Sequence, residues 1–226
     1  MERTLIMKDP RKEDYFYEEA MKILRTNIQF SGKHTQVIVF TSCYPNEGKS
    51  DVVFSLATEM GKMGKKVLVL DADIRKSAFV KRYQISPAPK GLSQYLSGQA
   101  GIEEVLYHTN YRNVDIIVGG AVAPNPSELL ADSIFDELLE KTKQIYDFVL
   151  IDTPPIGTMI DAAVAAQKSD GAVLVIESEA VSYRAAQKAK TQIERTGCKI
   201  LGAVLTKTNM KKDKYYSSYY GGKNRS

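Results

Sequence analysis

Short, nearly continuous apolar runs punctuate this chain: 37–40 (VIVF), 67–70 (VLVL), 114–118 (VDIIV), 148–151 (FVLI), 172–176 (AVLVI) and 200–205 (ILGAVL). Runs of this length without polar alternation predict strands buried on both faces, as in a parallel sheet covered by helices. The stretches between them, 49–62, 127–145, 160–168 and 181–196, read as helices. A further amphipathic helix is predicted over 15–30, where Phe16, Ala20, Ile23, Leu24 and Ile28 recur at helical spacing. Pro124 and Pro126 bracket a turn, and Ser127 reads as the N-cap of the helix that follows. Strand alternating with helix predicts an α/β fold: a doubly wound, mostly parallel sheet flanked by helices. Ligands in such folds sit at the carboxyl ends of the strands. The expected organisation is a flexible segment over 1–14, one domain over 15–209 and a mobile tail over 210–226, which lacks hydrophobic periodicity.

Composition narrows the function. A chain of 226 residues holds one α/β domain with a sizeable core. It has no run of 18 apolar residues and no signal-like start, so a cytoplasmic protein is expected. Two cysteines, Cys43 and Cys198, form no disulfide framework or zinc spacing, and His34 and His108 lie far apart. The net charge of +4 is mild and much of it lies at the chain ends, so no nucleic-acid partner is expected.

The sequence TSCYPNEGKS follows the first long strand and opens a helix. Its ending, Gly48-Lys49-Ser50, is a phosphate-loop signature in the right context. Backbone N–H groups of Pro45-to-Asp51 loops of this kind, with the helix N-terminus, hold phosphate oxygens. The candidate binding residues are Pro45 (through its place in the turn), Asn46, Glu47, Gly48, Lys49, Ser50 and Asp51. Lys49 reaches phosphate and the Ser50 hydroxyl suits Mg²⁺. The loop departs from the usual pattern at three places. Cys43 stands where the first glycine is usual. Asn46 stands at another glycine position, and asparagine tolerates positive φ. Asp51 follows Ser50, where a carboxylate should weaken ATP binding unless a metal or basic group offsets it.

Three aspartates end apolar strands: Asp71 and Asp73 in VLVLDADIR, and Asp152 in FVLIDTPP. Asp152 suits Mg²⁺, directly or through water. Of Asp71 and Asp73, one can act on the metal and the other can accept a proton from an attacking hydroxyl. Arg75 is a candidate for stabilising charge on a transferring phosphoryl group. Four tyrosines, Tyr215, Tyr216, Tyr219 and Tyr220, cluster in the tail.

These motifs together resemble the bacterial tyrosine kinases of capsule, exopolysaccharide and biofilm synthesis, in the cytoplasmic Gram-positive form. PNEGKS, VLVLDADIRK, VLIDTPP, GGAVAPNPSELL and YYSSYYGG carry the resemblance, from about residue 15 to the end. It implies a P-loop NTPase fold of the MinD/ParA-like class, with ATP and Mg²⁺ as cofactors. It implies Lys49 and Ser50 on phosphate and metal, and Asp71, Asp73 and Asp152 as catalytic and metal carboxylates. The tail tyrosines are then autophosphorylation sites, donated to a neighbouring subunit. Implied partners are protein substrates of polysaccharide synthesis and a transmembrane adaptor, supplied in trans, that activates the kinase at the inner face of the membrane. The family's ring-assembly motif reads Glu19, Lys22, Arg25 here, with Lys22 in place of arginine, which puts an octameric ring in question.

Two other readings stay open. One is a MinD/ParA-like organising ATPase. Against it, Thr41 to Pro45 contains no signature lysine, and the tail has no long apolar face. The other is a weakly active scaffold, motivated by Asn46 and Asp51.

Overall fold

The computed structural model describes residues 3–11, 14–32 and 34–208. Among the described residues eight strands form one sheet: β1 (Thr4–Leu5), β2 (Val37–Ser42), β3 (Val67–Asp71), β4 (Tyr107–Thr109), β5 (Val114–Ile117), β6 (Phe148–Asp152), β7 (Gly171–Glu177) and β8 (Ile200–Thr206). Their order is β1-β4-β5-β3-β6-β2-β7-β8. All neighbours are parallel except β4 and β5, so β1 and β4 run against the other six.

The unbroken apolar runs are explained by two cores, one on each face of the sheet. Side chains alternate across a strand. Val37, Val39, Leu68, Leu70, Val149 and Ile151 therefore enter one core, while Ile38, Phe40, Val67, Val69 and Leu150 enter the other. The second core is closed by α1 (Tyr15–Phe30), α2 (Lys49–Lys62) and α3 (Phe79–Arg82). The first is closed by α4 (Leu92–Leu96), α5 (Ile102–Val105), α6 (Pro126–Ala131), α7 (Ser133–Lys143), α8 (Asp161–Gln167) and α9 (Tyr183–Glu194). No helix among the described residues is long and apolar enough to cross a membrane.

The predicted strands and the helix over 15–30 lie where the pattern places them. Three features differ. The single helix predicted over 127–145 is two. Asp132 takes an extended conformation (ψ 153°) and caps α7 by accepting a 2.9 Å bond from the Ile134 N–H. The N-cap of α6 is Asn125, not Ser127, because Pro126 takes the first helical position, where its missing N–H costs nothing. Finally, the segment before residue 15 is not featureless. β1 pairs with β4, Met7 is buried, and the Lys8 N–H donates to the Tyr83 carbonyl at 2.9 Å.

Candidate active site

The strand order sets the site. β6 and β2 are neighbours, and Phe40 of β2 pairs with Asp152 of β6. The chain leaving β2 then turns back over the end of β6 to start α2. Two left-handed residues make that turn, Asn46 (φ 66°) and Gly48 (φ 84°). Asparagine is one of the few non-glycine residues that enter this region at low cost. Cys43 is buried against the loop after β6, where a Cβ on Gly157 would lie 2.2 Å from the Cys43 carbonyl oxygen. Burial, then the nearby Glu47 carboxylate, pushes the Cys43 thiol up to about 11, so it stays neutral.

Glu47 is buried and holds the loop from inside. Its carboxylate accepts from the Tyr44 N–H and, at 3.0 Å, from the Glu177 N–H. The end of β8 braces the same turn. The Thr206 hydroxyl donates to the Glu47 carbonyl at 2.7 Å, and the Lys207 amine to the Asn46 carbonyl at 2.9 Å. Pro45 and Asn46 remain exposed at the loop tip. Gly48 is the N-cap of α2, whose first N–H groups have no acceptor within the helix.

Lys49 and Ser50 both turn to Asp152. The ammonium lies 3.2 Å from Oδ1, and the Ser50 hydroxyl donates to Oδ2. Among the described residues, Asp152 Oδ1 is buried and accepts no hydrogen bond of good geometry, so its close contact is the ion pair with Lys49. Burial raises the Asp152 carboxyl, while Lys49 and Ser50 pull it back.

Asp71 is the cross-strand partner of Asp152. It is fully buried, accepting from the Ser77 hydroxyl, the Gly119 N–H at 3.0 Å and the Asp73 N–H at 3.2 Å. Burial first, then the Asp152 charge, raises its carboxyl to about 7. Asp73 is half-buried, and one oxygen accepts the Lys76 N–H at 3.0 Å. Arg75 faces α8: its guanidinium grips the buried Asp161 carboxylate at 2.5 and 3.1 Å. The pair links the segment after β3 to the segment after β6. Asp51 is gripped in the same forked way by Arg82 of α3.

No group of three or more His, Cys, Asp or Glu among the described residues has metal-site geometry. Ser50 and Asp152 nonetheless form a buried hydroxyl–carboxylate pair. That suits Mg²⁺, which takes one or two protein oxygens and completes its shell with water and substrate phosphate.

A family model described as an AAA domain matches residues 35–200, from the start of β2 to the start of β8. Tyrosine-protein kinase CpsD of Streptococcus agalactiae is 39% identical over 209 residues, 92% of this chain and 91% of its own. The chain belongs to the bacterial tyrosine-protein kinase family. Among solved structures, the kinase domain of the Escherichia coli tyrosine kinase ETK matches with a TM-score of 0.79 at 31% identity, over 85% of this chain and 77% of that one. The septum site-determining protein MinD of Pyrococcus horikoshii, complexed with Mg-ADP, matches with a TM-score of 0.65 at 30% identity, over 76% of this chain and 70% of that one. The fold is therefore that of a P-loop NTPase shared by tyrosine kinases and MinD ATPases.

In this kinase the helix residues singled out for assembly lie on α1. Lys22 pairs with Glu19 at 2.7 Å within the same helix, and Arg25 lies one turn on with its Nε buried and unpartnered among the described residues. Tyr215, Tyr216, Tyr219 and Tyr220 lie outside the described residues. The last described residues, Lys207 and Thr208, leave β8 beside the phosphate loop. Sequence reasoning missed Thr206, Lys207, Ser77, Arg82 and Asp161. Each is an ordinary polar residue outside any motif; Ser77 lies six residues from Asp71, and the others reach the site only through the fold.

Proposed function

We propose that this chain is an ATP-dependent autokinase that phosphorylates its own tail tyrosines in the control of capsule or exopolysaccharide synthesis. The observation that carries this reading is the convergence of Lys49 and Ser50 on the buried Asp152 at the mouth of a phosphate loop. Ser50 and Asp152 would hold Mg²⁺, which when bound supplies positive charge to the phosphate oxygens. Lys49 is placed to neutralise phosphate, and the N-terminus of α2 to bind it. A tyrosine oxygen attacks the γ-phosphorus, the bond to the β-phosphate oxygen breaks, and the phenol proton passes to Asp73. Asp73 suits this role better than Asp71, which is closed in by three protein donors.

The last described residues lie beside the phosphate loop. Six residues lie between Thr208 and Tyr215, seven Cα steps that span up to about 25 Å when extended. That reach is long enough to serve a neighbouring crevice, and in this reading transfer runs between subunits of a ring, an octamer, assembled through α1 with Glu19, Lys22 and Arg25. Each phosphate adds roughly −1.5 to −2 charge, so phosphorylated tails repel and loosen the ring. A transmembrane adaptor recruits the kinase to the inner face of the membrane and raises its activity.

The test mixes two variants with ATP and Mg²⁺, with and without the adaptor's cytoplasmic segment. One is Lys49→Ala with its tail intact; the other is active but carries Tyr→Phe at all four tail positions. Mass spectrometry of the Lys49→Ala tail should find phosphotyrosine. Phosphate in wild type but none in the mixture would refute transfer between subunits. ADP release with no phosphotyrosine anywhere would replace the autokinase with an organising ATPase.

A further inference from the structure

Asp51 is an anion in the first turn of the helix that binds phosphate. A helix N-terminus favours one negative group through its dipole and its free N–H groups. A nucleotide polyphosphate competes for that same place, and two anions there repel each other. The structure contains an answer. The Nε and one terminal nitrogen of Arg82 donate to the two carboxylate oxygens of Asp51, a forked pair that draws the charge towards α3.

Arg82 is held in register for this task. It ends α3, and its neighbours Phe79 and Tyr83 are fully buried and stacked, with ring centroids 5.3 Å apart. Tyr83 also packs on Phe54 of α2 at 4.4 Å, which ties α3 to the phosphate-loop helix. The Tyr83 hydroxyl adds a 3.4 Å contact to the same carboxylate. The other arginine nearby, Arg11, is committed to Asp9 and to the Ser55 hydroxyl.

We propose that Arg82 is a positioning residue for nucleotide binding: it neutralises Asp51 and turns it aside, so that the N-terminus of α2 is free to take phosphate. The proposal rests on the ATP-binding reading of the loop given above. It accounts for a carboxylate at a position where one alone would oppose the ligand. It also makes Asp51 and Arg82 a coupled pair across 31 residues of chain.

The experiment is calorimetric titration of MgATP and MgADP into wild type, Arg82→Ala, Asp51→Asn and the double variant Arg82→Ala/Asp51→Asn, with Lys49→Ala as control and melting curves for each. The pair is partly exposed, with Arg82 at 40%, so solvent screens it and the effect is moderate. Arg82→Ala should bind MgATP roughly tenfold more weakly, and the loss should shrink at high salt. Asp51→Asn, which leaves the Arg82 charge unopposed near the phosphates, should bind MgATP more tightly than wild type. The double variant should recover most of the loss, a rescue that a purely structural role for Arg82 would not produce. Wild-type affinity in Arg82→Ala, or no recovery in the double variant, overturns the proposal. Wild-type titrations no different from Lys49→Ala would instead overturn the nucleotide-binding reading, and this proposal with it.

Discussion

The ends of β3 and β6 start from the same pattern and arrive at different chemistry. Each strand is four apolar residues closed by an aspartate, and Asp71 and Asp152 are cross-strand partners, both buried. Asp71 is met by neutral donors: the Ser77 hydroxyl and the N–H groups of Gly119 and Asp73. Asp152 is met by an ammonium and a hydroxyl from the phosphate loop. Burial, then the Asp152 charge, outweighs the neutral donors and raises the Asp71 carboxyl to about 7. The arrangement at Asp152 keeps a carboxylate beside a cation, ready to share it with phosphate and metal. A buried aspartate at a strand end takes its role from its partners, and these come from other parts of the chain.

The sharpest way to break this contrast is Lys49→Ala. Tail phosphorylation should fall by about 10²- to 10³-fold, the scale of losing one electrostatic stabiliser. The variant should also lose stability by about 3 kcal/mol, because Asp152 is left buried and unpaired. Adding Asp152→Asn should restore much of the stability and none of the activity. Urea unfolding and phosphotyrosine counting read the two effects separately. A Lys49→Ala midpoint equal to wild type would mean that Lys49 is not what sustains the Asp152 charge.

The pH dependence of stability tests the Asp71 side of the comparison next. The folded Asp71 carboxyl is raised to about 7 from an ordinary value of 3.8. Between those values the folded chain holds a proton that the unfolded chain releases. Its contribution is therefore fully present below about pH 4 and lost as pH rises through 7. Wild type should lose on the order of a few kcal/mol across this window, and Asp71→Asn should flatten the curve. Denaturant midpoints at pH 4 to 8 check it; parallel curves for the two proteins would show that Asp71 does not hold its proton.

The smallest effect sharpens the account of Asp71. Ser77→Ala removes one donor that favours the ionised form. It should cost about 1 kcal/mol at pH 8 and move the loss of stability to higher pH. Thermal melts across the same series measure both. A shift in the opposite direction would mean that the Ser77 hydroxyl does not favour the ionised carboxyl.

Much of the fold was legible because its cause is local. The apolar runs at 67–70 and 148–151 read as doubly buried strands, and each lies within a strand with all five positions buried. The helix over 15–30 was predicted from periodicity, but of the residues in that pattern Phe16, Ala20 and Ile23 are exposed, and the helix buries Met21 and Ile28; its N-cap, Asp14, accepts from the Phe16 and Tyr17 N–H groups. The short elements were not legible. α3, α4 and α5 have only four or five residues, too few to show a helical period. β1 has two residues and exists only because β4 lies beside it.

At the site, Lys49 and Ser50 were read from the phosphate-loop motif, where strand, loop and helix are consecutive in the chain, and Asp152 from a separate strand end; that they meet follows from the pairing of β2 with β6. Their company was not legible. Glu47 reads as a loop residue open to phosphate, yet the Glu177 N–H, 130 residues away, helps hold its side chain inside the turn. Arg75 reads as free to reach phosphate, yet Asp161, 86 residues on, grips it.

The sequence by itself determined the doubly wound architecture, the phosphate loop and the family, because hydrophobic period and motif spacing act over a few neighbouring residues. Tertiary structure alone decided which buried aspartate meets a cation, which arginine answers Asp51, and where the chain leaves β8 for its tyrosines. Those outcomes follow from the order β3-β6-β2-β7-β8. Apolar strands of similar length and composition do not encode that order one by one; it emerges only when all of them pack together.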